Sequence, residues 1–323
     1  MPGFKEFVTH KNMRKPVFTP GPPSLSEENI VGLGPAFGRG DSSFHSEQEF
    51  VESWLKEITG KPQLISFQGS GTLACEVAIR AFVTGRIAVI KSGFYSERLY
   101  KILLEKFKPN SVVYGDYSSF TQEDLNFDWV VSCYVETSHA FKLNIHDLKK
   151  LATKFKAKLF IDATASIGLE GEHNLADVIC FSSCKGLFGL TGAAFIAYEN
   201  SLEIYQENSF YLSIDTHIKR LVTGPYHAIQ SLVNIIPVHS QMVEAVKLNK
   251  EVFLRKFSKF VIYKPENQPV IATIVDCKII STNKNAIIYA PRQEIAGTII
   301  SHLGESYLKR EAKGEINNIL RIE

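Results

Sequence analysis

The chain has 323 residues, with 36 Lys and Arg against 34 Asp and Glu and a formal net charge of +2. That balance gives no electrostatic reason to expect nucleic acid or an anionic membrane surface as a partner. Hydrophobic residues make up 45% and charged residues 22%, which excludes global disorder, and a chain of this length can bury a large core without covalent staples.

The five cysteines, Cys75, Cys133, Cys180, Cys184 and Cys277, are odd in number and scattered. Cys180 and Cys184 have no second Cys/His pair nearby to complete a zinc site, so no metal is expected. Reduced thiols in a cytoplasmic protein are the expectation. The first residues contain no apolar run of the kind a secretory signal needs, and no stretch of about 18 apolar residues suggests a membrane span.

In chain order, residues 18–46 are rich in Gly, Pro and Ser with apolar residues interleaved, which predicts an irregular entry segment. Strands are expected over 63–67, 86–92, 111–117, 129–136, 158–163, 177–183 and 193–199, most of them nearly continuous in apolar residues. Strands buried on both faces read this way. Helical patterns over 70–83, 96–108 and 145–157 lie between them. This alternation predicts an α/β fold with a large, mostly parallel sheet covered by helices. The lysine-rich face of 145–157 reads as solvated, and Arg39-Gly40-Asp41 as a chance tripeptide in a loop. Residues 226–257 are expected to be mainly helical. Short strands within 270–276 and 285–290 and a helix over 292–303 would follow. The expected division is an entry segment plus large α/β domain over 1–236 and a small α+β domain over 237–323. The entry segment is expected to pack on the smaller domain.

Three motifs carry chemistry. Gln68-Gly69-Ser70-Gly71-Thr72 follows a strand and opens a helix. Its glycines allow close backbone approach, and hydroxyls at a helix N-terminus suit a phosphate. A tight turn capped by Ser or Thr is the alternative. Asp162 ends an apolar strand, where open α/β sheets place ligand groups. Lys185 leaves a strand into a Gly-rich loop with small and apolar flanks, and an amine poorly solvated in its charged form suits carbonyl chemistry. A phosphate cup, a strand-end carboxylate and such a lysine together match the needs of pyridoxal 5′-phosphate. Tyr95, after the 86–92 strand, is a candidate to cover the cofactor ring, or else a core aromatic.

The segments 18–26, 68–76, 92–99, 135–138, 160–168 and 180–195, with weaker matches at 223–227 and 320–322, resemble class V (fold type I) aminotransferases. The resemblance implies a Schiff-base lysine and proton shuttle at Lys185 and a pyridinium partner at Asp162. It implies phosphate contacts from Ser70, Gly71, Thr72 and Ser182, and stacking by Tyr95. Thr137 would bond the ring hydroxyl, and Thr223 would reach the phosphate of a second subunit in a homodimer with shared sites. Arg321 would bind a substrate carboxylate, with Gly21 lining the entrance. His139 is read as packing behind the site. The implied reaction moves an amino group from a small anionic amine, such as 2-aminoethylphosphonate, to a 2-oxo acid such as pyruvate. Transfer between alanine or serine and glyoxylate, or cofactor binding without turnover, are the alternatives.

Overall fold

The computed structural model describes residues 3–22, 25–31, 33–34, 41–122, 126–304 and 318–323. Arg39 and Gly40 lie outside the described residues. A seven-stranded sheet organises the first two thirds of the chain. Its strands are β1 (Gln63–Gln68), β2 (Ile87–Ile90), β3 (Val112–Gly115), β4 (Trp129–Cys133), β5 (Lys158–Asp162), β6 (Val178–Ser182) and β7 (Ala193–Tyr198). Their spatial order is β1-β7-β6-β5-β4-β2-β3. β7 runs antiparallel to both β1 and β6, and the other pairs are parallel.

Side-chain alternation divides the core into two layers. Ala88, Ile90, Leu159 and Ile161 pack on one face against Val51 and Leu55 of α1 (Ser42–Thr59), Leu148 and Leu151 of α4 (Ile145–Phe155), and Ile229 and Leu232 of α5 (Tyr226–Ile235). Ile87, Val89 and Phe160 pack on the other against Val77 and Ala78 of α2 (Gly71–Phe82) and Leu99 and Leu103 of α3 (Phe94–Lys106). Both faces are covered, as the continuous apolar runs require. The helices start where side chains supply acceptors. Asn144 Oδ1 accepts from His146 N at 2.9 Å at the head of α4, and Asp41 Oδ1 accepts from Ser43 N at 3.0 Å at the head of α1.

A 3-10 turn over Ile236–Val238, containing Pro237, joins α5 to α6 (His239–Phe257), and the expected division at 236/237 falls on this turn. Beyond it, β8 (Ala272–Val275) pairs antiparallel with β10 (Thr298–Ser301), and β9 (Ile279–Ser281) pairs with β11 (Leu320–Ile322). The entry segment returns here: Val17–Phe18 pairs in parallel with Ile287–Ile288. The helix expected over 292–303 does not form. Ile295, Ile299, Ile300 and Leu303 mimic a helical period, but Thr298-Ile299-Ile300-Ser301 is β-branched over three positions and buried at all four. Residues of this kind pack well on a pleated ladder, and pairing with β8 outweighs the local pattern.

No helix among the described residues is long and apolar enough to cross a membrane. All five cysteines are free thiols, and burial raises the pKa of Cys75, Cys133 and Cys180.

Two buried histidines set an acid limit. Burial lowers His173 from 6.5 to about 4 and His302 to about 3, where Lys250 adds a smaller push. His173 Nε2 lies 2.9 Å from Ser166 Oγ, and His302 Nε2 lies 2.9 Å from Thr273 Oγ1. Below pH 6.5 the unfolded chain binds protons that the folded chain refuses, so folding stability falls with pH. The urea midpoint should therefore drop steadily from pH 6.5 to 4, and less steeply in His173→Gln. A His173→Gln profile parallel to wild type would assign the acid loss to other groups.

Candidate active site

The carboxyl ends of β1, β4, β5 and β6 deliver most of the expected residues to one place. Asp162 closes β5, opposite Cys133 of β4 and Cys180 of β6, and is buried. Its Oδ1 accepts from Thr164 N at 2.9 Å, and its Oδ2 lies 3.8 Å from an Arg98 guanidinium nitrogen. Arg98 stacks on Tyr95, its guanidinium carbon 4.6 Å from the ring centroid. Lys185 Nζ is 5.7 Å from the same ring centroid.

The glycine turn joins this group through Thr164. Ser70 caps α2, its Oγ accepting from Leu73 N at 3.4 Å. Gly71 begins the helix, and a Cβ placed on it would fall 2.2 Å from Thr164 Oγ1. Only a residue without a side chain lets the Thr164 hydroxyl lie against this helix start. That Thr164 hydroxyl is buried and has no hydrogen-bond partner, and the same is true of Arg98 Nε. Thr72, next along α2, is half-buried.

Lys185 is half-buried and has φ of 67°, in the left-handed region. Such a backbone costs a non-glycine residue on the order of 1–3 kcal/mol and persists only where its surroundings over-determine it. Here they do. Asn29 Nδ2 donates to Phe188 O at 2.7 Å, Gly189 N donates to Ser183 O at 3.0 Å, and Leu190 N donates to Ser231 Oγ at 2.9 Å. His239 Nε2 donates to Gly186 O at 2.9 Å. Gly21 closes the site from the entry segment: a Cβ there would lie 2.6 Å from Lys185 Cγ. Ser182 is buried at the end of β6, its Oγ 3.5 Å from Cys184 Sγ.

One residue of the 135–138 segment has a part in the site that the sequence reading does not give it. Glu136 is fully buried. Its Oε2 accepts from Tyr95 N at 3.1 Å and Ser96 N at 3.2 Å, and its Oε1 from Ser138 Oγ at 2.6 Å and Ser138 N at 3.1 Å. The carboxylate thus serves the open N–H groups at the head of α3 and fixes the backbone of Tyr95. Thr137 is buried in the adjoining turn. His139 Nδ1 lies 3.1 Å from Ser138 Oγ, and Gln293 Nε2 lies 3.1 Å from His139 Nε2.

Two expected residues lie apart from this group. Thr223 is exposed and lines a separate cleft with Phe44, His45, Phe67 and His217. Arg321 is exposed on β11, opposite Ile280, and forms no ion pair among the described residues. Arg98 was not foreseen; its signal was an arginine one helical turn after Tyr95, which a helical wheel places beside it.

The chain shares its fold with aspartate aminotransferase of subgroup IV from Thermus thermophilus, with a TM-score of 0.78 at 16% identity over 94% of this chain and 97% of the other. Alanine–glyoxylate aminotransferase from Nostoc sp. superposes with a TM-score of 0.77 at 15% identity, covering 94% of each chain. The fold is that of the fold type I aminotransferases. By sequence, the chain is 26% identical over 219 residues to 2-aminoethylphosphonate–pyruvate transaminase 2 from Burkholderia lata, covering 62% of this chain and 58% of that protein. The chain thus spans about three fifths of the length of the curated relatives it matches. No family model matches the chain.

Replacing Glu136 tests the lock on α3. Glu136→Ala strands Tyr95 N, Ser96 N and Ser138 N in a buried setting, each at about 1–3 kcal/mol. Urea unfolding should show a loss on the order of 3 kcal/mol or more, against about 1 kcal/mol for Ser138→Ala. Equal losses in the two variants would remove Glu136 from this role.

Proposed function

We propose that the protein is a pyridoxal-5′-phosphate-dependent aminotransferase that moves an amino group from a small anionic amine, 2-aminoethylphosphonate or a close analogue, to a 2-oxo acid such as pyruvate. The observation that carries this reading is one continuous run of contacts. It goes from the α2 helix start through Thr164 and Asp162 to Arg98, Tyr95 and Lys185. The donor set fits the cofactor. The unpartnered Thr164 hydroxyl lies against a helix N-terminus, where a phosphate would give it and the open N–H groups an acceptor.

Ser70, Gly71 and Thr72 would hold the phosphate, with Ser182 as a further contact. Asp162 would hold the protonated ring nitrogen, and Thr137 the ring hydroxyl oxygen. Tyr95 would cover the ring face. When bound, the cofactor supplies an aldehyde for the amine and a ring that accepts the electron pair left when the donor carbon loses its proton. Lys185 Nζ is the amine that would tether the cofactor and, once displaced by the donor, carry the proton from the donor carbon. The clamped left-handed loop fixes where that nitrogen can reach. Arg98 places a guanidinium beside Asp162, 3.8 Å from its Oδ2.

In this reading the enzyme works in the cytoplasm as a homodimer with shared sites, Thr223 of each copy reaching the other's phosphate. Five free cysteines support the first part. Exposure of Thr223 together with Phe210 and Leu221 supports the second.

The purified chain, incubated with pyridoxal phosphate and mixed with 2-aminoethylphosphonate and pyruvate, should form alanine and show a visible spectrum that changes on adding the amine. Lys185→Ala should lower alanine formation by about three orders of magnitude while keeping the urea midpoint of wild type, since the strained backbone remains. Absence of a cofactor spectrum in wild type would reject the cofactor. A spectrum without alanine would reject the substrate pair alone.

A further inference from the structure

The segment after Ile287–Ile288 is carried by its pairing with Val17–Phe18 to the head of α3. Tyr289 is half-buried beside Tyr95; its hydroxyl is pushed up to about 12 by burial, with Tyr95 and Glu136 adding to the rise and Arg292 opposing it. Gln293 reaches His139 at 3.1 Å. Arg292 lies between these two anchors. Its guanidinium carbon is 5.4 Å from the Phe94 ring centroid, and Phe94 meets Tyr95 edge-on with centroids 5.2 Å apart. On Tyr95 itself lie Arg98 and Lys185.

Arg292 is exposed and forms no ion pair among the described residues. Glu136, buried at the α3 head, is already committed to N–H and O–H donors. The guanidinium is therefore a cation on an aromatic base with no counter-ion among the described residues, set one aromatic ring away from the residue that contacts Lys185. A planar fork of this kind is suited to a carboxylate or phosphonate. We propose that Arg292 is a specificity-determining residue that takes the acidic group of the substrate, the charged tail of the donor or the carboxylate of the 2-oxo acid; the assignment of that group as substrate rests on the aminotransferase reading above. Arg321, in which the resemblance vested this task, stands exposed on β11 with no contact to Tyr95 or Lys185 among the described residues.

The test is calorimetric titration of the full chain, after incubation with pyridoxal phosphate, with two anions that carry no amine: ethylphosphonate and propanoate. Wild type should bind at least one of them. Arg292→Gln should weaken that binding 10-fold or more, with Arg292→Lys between the two and Arg321→Gln close to wild type. An effect on ethylphosphonate alone assigns a phosphonate tail, and one on propanoate alone a carboxylate. Kinetics provide the second arm: Arg292→Gln should raise KM at least 10-fold for the substrate that carries the bound anion, 2-aminoethylphosphonate or pyruvate, with a smaller change in kcat. The inference is overturned if wild type binds neither anion, if Arg292→Gln binds as wild type does, or if neither KM rises. Wild type that binds anions through Arg292 yet forms no alanine would instead reject the aminotransferase reading and leave the anion site standing.

Discussion

The geometry of the site depends on a single buried carboxylate. Glu136 sits where the first turn of α3 would otherwise present open N–H groups to the protein interior. Five donors converge on its two oxygens, the fifth being Ser92 Oγ at 3.5 Å, and the helix start adds favourable partial charge. The consequence is positional. With Tyr95 N and Ser96 N held, the Tyr95 ring and, one turn later, the Arg98 side chain are aimed across the ends of β4 and β5 toward Asp162. The stacking of Arg98 on Tyr95 and its approach to Asp162 then follow from one fixed helix origin.

Lys185 is held by the opposite strategy. Its backbone is strained, and the loop around it is tied by side chains from three distant places in the chain: Asn29 from the entry segment, Ser231 from α5, and His239 from the head of α6; a backbone bond from Gly189 N to Ser183 O closes the loop locally. Gly21 adds a close approach from the entry segment. The strained lysine is thus the point at which the large sheet, the first residues and the later helices meet. A loop closed only by its own hydrogen bonds would relax to a right-handed backbone at residue 185 and withdraw the amine.

The sheet was legible because burial on both faces leaves continuous apolar runs, and 158–163 or 193–199 admit no other reading at that length. Asp162, Lys185 and Gly71 were legible because each breaks a pattern: a charge ending an apolar strand, a charge among small residues, a glycine before a helix. Arg98 and Glu136 were harder. An arginine on an amphipathic helix reads as surface, and only the spatial neighbour, Asp162, 64 residues further on, makes it part of a site. Glu136 earns its burial from the head of α3, some 40 residues earlier, a contact that no local pattern announces. Over 292–303 the local pattern misled. The spacing of its isoleucines satisfies a helix and a strand equally, and β8, not the segment itself, decides between them.

The distribution of charge gives the last step. Asp162 is matched by Arg98, and Glu136 is spent on uncharged donors. The α2 helix start, with its unsatisfied Thr164 hydroxyl, and Arg292 remain as two positive or donor-rich places without an acceptor. They are linked to the Tyr95 and Lys185 pair through different residues, Asp162 and Arg98 in one case and Phe94 in the other. An anion at either place alone would leave the other uncompensated. A ligand set with two acidic ends and a reacting centre between them satisfies both at once. In the proposed reading, keeping both charges away from Lys185 Nζ also leaves that amine without a carboxylate partner among the described residues, so that it could carry a proton to or from a substrate carbon.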